Sequence, residues 1–330
     1  MMRVSIVTPS YNQARFLEQT IHSVLSQDIP DLEYFVMDGE SSDGSVSIIQ
    51  QFAPRLAGWV SEKDQGQADA INKGLRSAQG EVVAWLNSDD YYLPGAILRA
   101  IQAFEEHPQV GLVYGDVLSV DADGKPFNKQ TFAPYTLPDL MSFQIISQPA
   151  VFMRRTVMQQ AGLLDASYHC LLDHHLWLRM ARLAPMLYIP ETLAAARYHP
   201  QAKNVARPAE FGREAFRLVE WMKSSAEFAK LFAEYRSNIL AGAERFDAFY
   251  LLDGGQYRQS LAAYGRAWQH NPAVVLREAH RVIFAMVSMA FPGPLAGLRF
   301  IYSGLRSSLL SKSENNPSEI NREAKKNNLD

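Results

Sequence analysis

Two adjacent carboxylates end an apolar run in the stretch GEVVAWLNSDDYYLPG, residues 80 to 95. Val82 to Leu86 has the composition of a buried strand; it stops at Asn87-Ser88-Asp89-Asp90, and a helical pattern restarts after Pro94. Paired carboxylates in such a place have two readings. They can belong to a loop that caps the next helix. Alternatively they hold a divalent cation, because Mg²⁺ and Mn²⁺ take hard oxygen ligands, commonly one or two carboxylates together with substrate phosphates. Other acids sit in comparable positions: Asp38 and Asp43 in MDGESSDGS, and Asp64 in SEKDQG. Further on come Asp173 in LDHHLWLRM and His199 in RYHP.

The elements that must position these groups follow from hydrophobic periodicity. Val4 to Val7 is a β-branched run closed by Thr8-Pro9-Ser10-Tyr11-Asn12, and the helix after it carries Phe16, Leu17, Ile21, Val24 and Leu25 on one face. Leu32 to Met37 and Ala57 to Val60 repeat the pattern, each followed by a polar loop and a helix, and the opening stretch is the fourth unit. Such a succession predicts an α/β fold with a mostly parallel sheet, helices on both faces, and a ligand site at the carboxyl ends of the strands. Asp38, Asp43, Asp64, Asp89 and Asp90 then gather round one crevice. Their mutual repulsion would be relieved by a cation or by hydrogen-bond donors from a ligand.

Past Pro108 the spacing predicts a strand at Val110 to Tyr114, a hairpin at Asp121-Ala122-Asp123-Gly124, and a loop through Gln148-Pro149 feeding another strand. A helix carrying Leu172 to Met180 and a strand at Met186 to Ile189 follow. From Pro208 the chain reads as helical without strand signals, so the sequence divides into 1–205, an α-helical region 206–312, and a polar tail 313–330 expected to be disordered. Ala248 to Pro272 has the small and aromatic spacing of one tetratricopeptide-like hairpin, which must pack on neighbours to bury its apolar face. Val282 to Leu298 carries no charge, is flanked by Arg277, Arg281, Arg299, Arg306 and Lys312, and is broken by Pro292-Gly293-Pro294. That pattern suits a core helix pair or a basic element docking on a membrane surface better than a spanning helix.

Composition bounds the partners. The 330 residues, 47% hydrophobic and 20% charged, carry a net charge of -3, which gives no basic excess for a nucleic-acid backbone. A single cysteine, Cys170, excludes an internal disulfide and a cysteine-based zinc site, in keeping with a reducing compartment. The first residues pass straight into a strand pattern without the features of a signal peptide, so the expected location is cytoplasmic, with peripheral contact at the inner membrane face.

In combination, VSIVTPSYNQARFLEQTIHSVLSQ, MDGESSDGS, SEKDQGQADAINKGLRSAQGEVVAWLNSDDYYLPGAI, SQPAVFMRR and LDHHLWLRM resemble the successive motifs of family 2 glycosyltransferases. The resemblance covers residues 2 to 205 and implies the nucleotide-binding GT-A fold. It further implies an inverting transfer of a sugar from a nucleotide-sugar, a UDP-sugar in this reading, to a hydroxyl of a glycan or lipid-linked acceptor in cell-surface polysaccharide or glycolipid synthesis. Carried over by residue, Pro9 and Tyr11 wall the base, Asp38 accepts from the uracil ring N–H, and Asp64 and Asn72 line the same pocket. Asp89 and Asp90 resemble the Asp-x-Asp site for the ribose and for the Mn²⁺ or Mg²⁺ that bridges the diphosphate. The family often has an acid where this chain has Asn87, which leaves open which of the two aspartates meets the metal. Asp173 matches the catalytic base, and His199 matches a late histidine that closes the metal or diphosphate site. Gln148 and Pro149 fall on the acceptor side. His174 and His175, adjacent on a helix, are expected to serve packing and solvent, and Trp177 the core.

Two other functions compete. A processive polysaccharide synthase would carry a Gln-x-x-Arg-Trp motif and membrane spans, and neither is found in the sequence. A non-catalytic nucleotide-sugar-binding or scaffold protein, working through the helical region, would have no need of Asp38, Asp89, Asp90 and Asp173 together.

Overall fold

The computed structural model describes residues 1–290. Its first half is the predicted alternation: β1 (Val4–Ser10), α1 (Ala14–Leu25), β2 (Leu32–Asp38), α2 (Ser45–Phe52), β3 (Gly58–Ser61), α3 (Gln67–Ser77) and β4 (Val82–Trp85). These strands pair in parallel in the order β3-β2-β1-β4. Alternation along each strand supplies both faces. Val4, Ile6, Val82 and Ala84 point into one core with Leu17 and Ile21 of α1, while Val7, Val83 and Trp85 enter a second core on the other face.

After β4 come β5 (Tyr91–Tyr92), α4 (Ala96–Glu106), β6 (Leu112–Val120), β7 (Pro126–Gln130), α5 (Leu137–Met141), β8 (Val151–Arg154), α6 (Arg155–Ala161), α7 (Leu172–Leu183) and β9 (Met186–Arg197). The sheet continues β4-β8-β6-β9-β5, with β7 on β6, and β8 runs antiparallel to both its neighbours. It is therefore a mixed α/β sheet, parallel in its first half. The hairpin at Asp121 to Gly124 forms as predicted, joining β6 to β7.

Two strands outrun their predicted ends. Both β6 and β9 extend well beyond their apolar cores because they pair with each other over their whole length, through Val120↔Arg197. The register jumps from Gly115↔Ile189 to Asp116↔Thr192. Pro190, which has no N–H to give the ladder, thus falls in a bulge. A side chain at Gly115 would meet the Leu193 side chain at 2.6 Å and the Glu191 carbonyl at 2.7 Å, so the bulge requires glycine there. The extension of β9 carries the chain to the end of β4 and sets His199 beside Asp89.

The remaining elements are helical: α8 (Lys203–Ala206), α9 (Pro208–Ser224), α10 (Ala229–Asp253), α11 (Tyr257–His270), α12 (Pro272–Leu276) and α13 (Ala279–Ala290). Phe211, Ala215, Leu218 and Met222 of α9 and Ile239, Ala243 and Phe246 of α10 share one hydrophobic core with Trp85 and Trp177, which stack at 5.1 Å. The expected hairpin is α10 and α11, joined at Gly254 and Gly255, with Ala248, Ala263, Tyr264 and Ala267 packed between them. Among the described residues no helix is long and apolar enough to cross a membrane. The Pro292-Gly293-Pro294 break and the tail 313–330 lie outside the described residues.

Candidate donor and base site

The loop 87–90 leaves β4 and is caught at once by β5, which pairs with Ala194 and Ala195 of β9. Within it the two aspartates take different environments. Asp90 is buried; its carboxylate accepts the Arg197 backbone N–H at 2.9 Å and the Asn87 amide at 3.3 Å. Burial and then the neighbouring Asp89 charge push its carboxyl well above the usual carboxylate range. Asp89 is 19% exposed, and its Oδ2 lies 3.0 Å from His199 Nε2. That bond to Asp89 raises the His199 pKa, against the burial that lowers it.

Asn87, at the start of this loop, is fully engaged. Its Nδ2 donates to Gln148 Oε1 at 3.1 Å, and its Oδ1 accepts from Gln67 Nε2 at 2.7 Å. Gln148 Nε2 in turn donates to the Trp85 carbonyl at 2.7 Å, and Gln67 Oε1 accepts from Lys203 Nζ at 2.5 Å. An unbroken line of amides therefore runs from the end of β4 to α8. Gln148, with Pro149, is buried in this line rather than presented on an open surface.

Most of the acids expected to crowd the crevice are satisfied by protein donors. Asp38 is buried and accepts from the Ser41 N–H at 2.9 Å, Ser41 Oγ at 2.6 Å and Ser61 Oγ at 2.7 Å. Asp43 accepts the Ala14 N–H at 2.8 Å and the Ser45 N–H at 3.0 Å, bracing the starts of α1 and α2. Although burial works upward on Asp43, these bonds hold its carboxyl below the usual range. Asp64 accepts the Gly66 N–H at 2.8 Å and lies against Gly39. The repulsion inferred from sequence is thus relieved mainly by hydrogen bonds within the loops. Asp43 is exposed and Asp64 part-exposed, but both are turned to backbone N–H groups; Asp89, also part-exposed, is instead paired with the imidazole of His199.

Of the remaining sequence-predicted residues, Pro9 is buried at the end of β1 and Tyr11 is 63% exposed just beyond it. Asn72 is spent elsewhere: its Nδ2 donates to the Leu164 carbonyl at 2.9 Å and its Oδ1 accepts the Leu164 N–H at 3.0 Å, tying α3 to the segment before α7. Asp173 sits half-buried in the first turn of α7 and accepts the His174 N–H at 2.7 Å. Burial lifts its carboxyl to about 6. His174 and His175 serve packing, as expected, but neither reaches solvent: His174 bonds the Leu140 carbonyl at 3.0 Å and Tyr168 and Trp221 enclose His175, and burial lowers the His174 ring to about 4 and the His175 ring to about 3. Trp177 is core, as predicted.

Two site residues were not legible as such. Arg197 places its guanidinium over the rings of Phe16 at 4.8 Å and Tyr91 at 5.5 Å, and donates to the Asp89 carbonyl at 2.9 Å and to Gln19 Oε1 at 2.6 Å. It holds the loop from behind. The signal available was a lone cation two residues before His199, which carries no direction. Lys203 joins Gln67 to the His169 carbonyl, 2.9 Å away, and so bridges the loop at β4 to the approach of α7; burial lowers its pKa.

Among the described residues no group of three or more His, Cys, Asp or Glu side chains is gathered for a metal. The donor set nevertheless fits a hard divalent cation: one accessible carboxylate and one imidazole, with the remaining positions left to water and phosphate oxygens.

The site is thus built on a mixed α/β sheet, parallel in its first half, whose polar strand ends carry a part-exposed Asp–His pair, with a half-buried acid at the start of α7. The chain belongs to glycosyl transferase family 2, whose model matches residues 5–186. Relatives include a putative teichuronic acid biosynthesis glycosyltransferase, TuaG, of Bacillus subtilis, 36% identical over 137 residues, 41% of this chain and 54% of that protein. Another is a PGL/p-HBAD biosynthesis glycosyltransferase of Mycobacterium bovis, 31% identical over 173 residues, 51% of this chain and 66% of the relative. The chain spans about half the length of the first curated relatives it matches. The fold is that of S. aureus TarS 1-349, solved with UDP-GlcNAc: TM-score 0.61, 17% identity, 88% of this chain and 92% of the other. It is also that of the mannosyltransferase PcManGT from Pyrobaculum calidifontis, solved with GDP-Man and Mn²⁺: TM-score 0.55, 20% identity, 89% and 88% covered.

Proposed function

We propose that this protein transfers a sugar from a UDP-sugar to a hydroxyl of a glycan or lipid-linked acceptor, with inversion at the anomeric carbon. The observation that carries this reading is the division of labour among its acids. Asp38 and Asp90 are buried and held by protein donors, Asp43 and Asp64 are tied down by backbone N–H groups, while Asp89, part-exposed, meets the imidazole of His199, and Asp173 starts a separate helix with its carboxyl at about 6. Asp38, opposite Ser10 in the sheet and so beside Pro9 and the exposed ring of Tyr11, is the acceptor for a ring N–H of the base, with Asp64 next to it against Gly39; Asn72, held by Leu164 at both ends of its amide, supports that wall from behind. Asp89 and His199 would hold the cation, with Asp90 behind them fixing the loop through Arg197. When bound, Mn²⁺ or Mg²⁺ neutralises charge that accumulates on the departing diphosphate. Asp173 takes the proton of the attacking hydroxyl, and an elevated pKa makes it the stronger base. One displacement from the face opposite the leaving group inverts the centre. Gln148 and Pro149, both buried, shape the acceptor side from behind, Gln148 by its bonds to the Trp85 carbonyl and to Asn87.

The named roles of the relatives, in teichuronic acid and PGL/p-HBAD biosynthesis, support a cell-surface acceptor. Contact with the inner membrane face is supported by Leu276, Ile283, Met286, Val287 and Met289, all exposed on α12 and α13 near Arg277. In this reading residues 1–205 carry donor binding and chemistry, and 206–312 support them and meet the membrane.

The test is a thermal-shift screen of UDP- and GDP-sugars with Mn²⁺, followed by measurement of nucleoside diphosphate released by wild type and Asp173→Asn. Binding of a UDP-sugar with turnover abolished in D173N supports the proposal. Normal turnover in D173N removes the base assignment, and absence of binding by every nucleotide-sugar favours the scaffold.

A further inference from the structure

We infer that Glu214, on α9, is a positioning residue for Asp173: its carboxylate takes three successive backbone N–H groups of the segment leading into α7. The distances are 2.7 Å from His169, 2.8 Å from Cys170 and 2.8 Å from Leu171. Asp173 follows two residues later. The inference rests on the reading of Asp173 as base.

Segment 166–171 has no helix or strand of its own, and α9 supplies its order. One turn beyond Glu214, Arg217 donates to the Ser167 carbonyl at 2.7 Å and lies 4.1 Å from the centroid of the Tyr168 ring. Lys203 reaches the His169 carbonyl from α8. The hydrogen bond of Asp173 itself is made to the next residue of its own helix. Its carboxylate is therefore aimed by the direction in which the backbone enters α7, and that direction is set largely by Glu214. The first N–H groups of a helix and the residues before it lack intrahelical partners, so a carboxylate from a second helix both satisfies them and complements the dipole. Charged or titratable neighbours of Asp173 come from each surrounding element: Lys203 on α8, Glu214 on α9 and Tyr250 on α10.

The experiment compares Glu214→Gln with wild type and D173N, all as the full chain, using the UDP-sugar selected by the donor screen. The amide of E214Q keeps one acceptor oxygen and turns an NH₂ against the N–H groups. The expected result is kcat lower by about 10- to 100-fold, as for a reacting group misplaced by about 1 Å, with the affinity for UDP and Mn²⁺ in calorimetry unchanged. The acidic limb of the pH profile should also move to lower pH, since losing a nearby negative charge favours ionised Asp173. Glu214→Asp, which keeps the charge but shortens the reach, should restore the limb and only part of kcat. Wild-type kcat and pH profile in E214Q, with D173N inactive, would overturn the positioning role alone. An active D173N would instead overturn the base assignment. If E214Q does not fold, E214D decides: faster amide exchange at residues 169–171 with lowered kcat supports the inference, and wild-type kcat removes it.

Discussion

Lowering the pH from 7 to 5 should reduce kcat/KM for the donor about tenfold. The figure follows from Asp173, whose carboxyl burial raises to about 6. A carboxyl at that value is about 90% ionised at pH 7 and about 10% at pH 5, whereas an ordinary aspartate near 3.9 would stay roughly 90% ionised at pH 5 and almost wholly ionised at pH 7. The sign is fixed by the role: the base is the deprotonated form, so activity is present above about 6 and is lost as pH falls through it. Release of UDP, measured at low donor concentration between pH 5 and 8 with saturating Mn²⁺, gives the profile. His199 also gains a proton in acid, because its bond to Asp89 raises its pKa. Calorimetric UDP binding at each pH separates that effect, which weakens affinity, from loss of the base, which does not. A flat rate between pH 5 and 7 with binding intact would refute the argument, as would a residual D173N activity that kept the same break.

Other perturbations separate the roles within the 87–90 loop and test the fold. Asp89→Ala should abolish Mn²⁺-dependent UDP binding in calorimetry with little change in Tm; retained metal-dependent binding would exclude Asp89 as a ligand. Asp90→Ala leaves the Arg197 N–H without its acceptor and should cost about 2 kcal/mol in urea unfolding. Gly242→Ala sets a Cβ 2.0 Å from the Ser142 carbonyl oxygen, where α10 crosses the end of α5, so a loss of about 1–3 kcal/mol is expected in the same assay; a neutral result would mean the two helices part without cost.

Strand and helix positions in the first half were legible because each strand ends abruptly in polar residues, and Val4-to-Val7 or Val82-to-Leu86 cannot be mistaken for solvent-facing chain. The full lengths of β6 and β9 were not, because polar residues are kept in strand by partners across the sheet, Asp116 by Thr192 and Ser119 by Ala196, which lie outside any local window. Site acids were recognisable by type and place, while their division of labour was not. Asp89 and Asp90 are adjacent and chemically identical; what distinguishes them is the Arg197 N–H, 107 residues away. For the same reason Asn72 reads as a pocket residue until Leu164 is seen to occupy both ends of its amide. Glu214 gave no signal at all, since a glutamate on an amphipathic helix is ordinary and its partners are backbone groups.

The amide line from Trp85 to Lys203 has a consequence for how the loop tolerates change. A carbonyl can only accept and an ammonium can only donate, so the two ends fix the sense of every bond between them: Lys203 to Gln67, Gln67 to Asn87, Asn87 to Gln148, Gln148 to Trp85. None of the three amides can flip independently of the others. The line therefore has a polarity, and a substitution is compatible only if it preserves that polarity. An aspartate at position 87 would add a third acid to the loop, yet it would face the Gln148 oxygen with a second acceptor. Gaining that acid would require reversing Gln148 against a backbone carbonyl that cannot reverse with it, so Asn87 and Gln148 are constrained to change together.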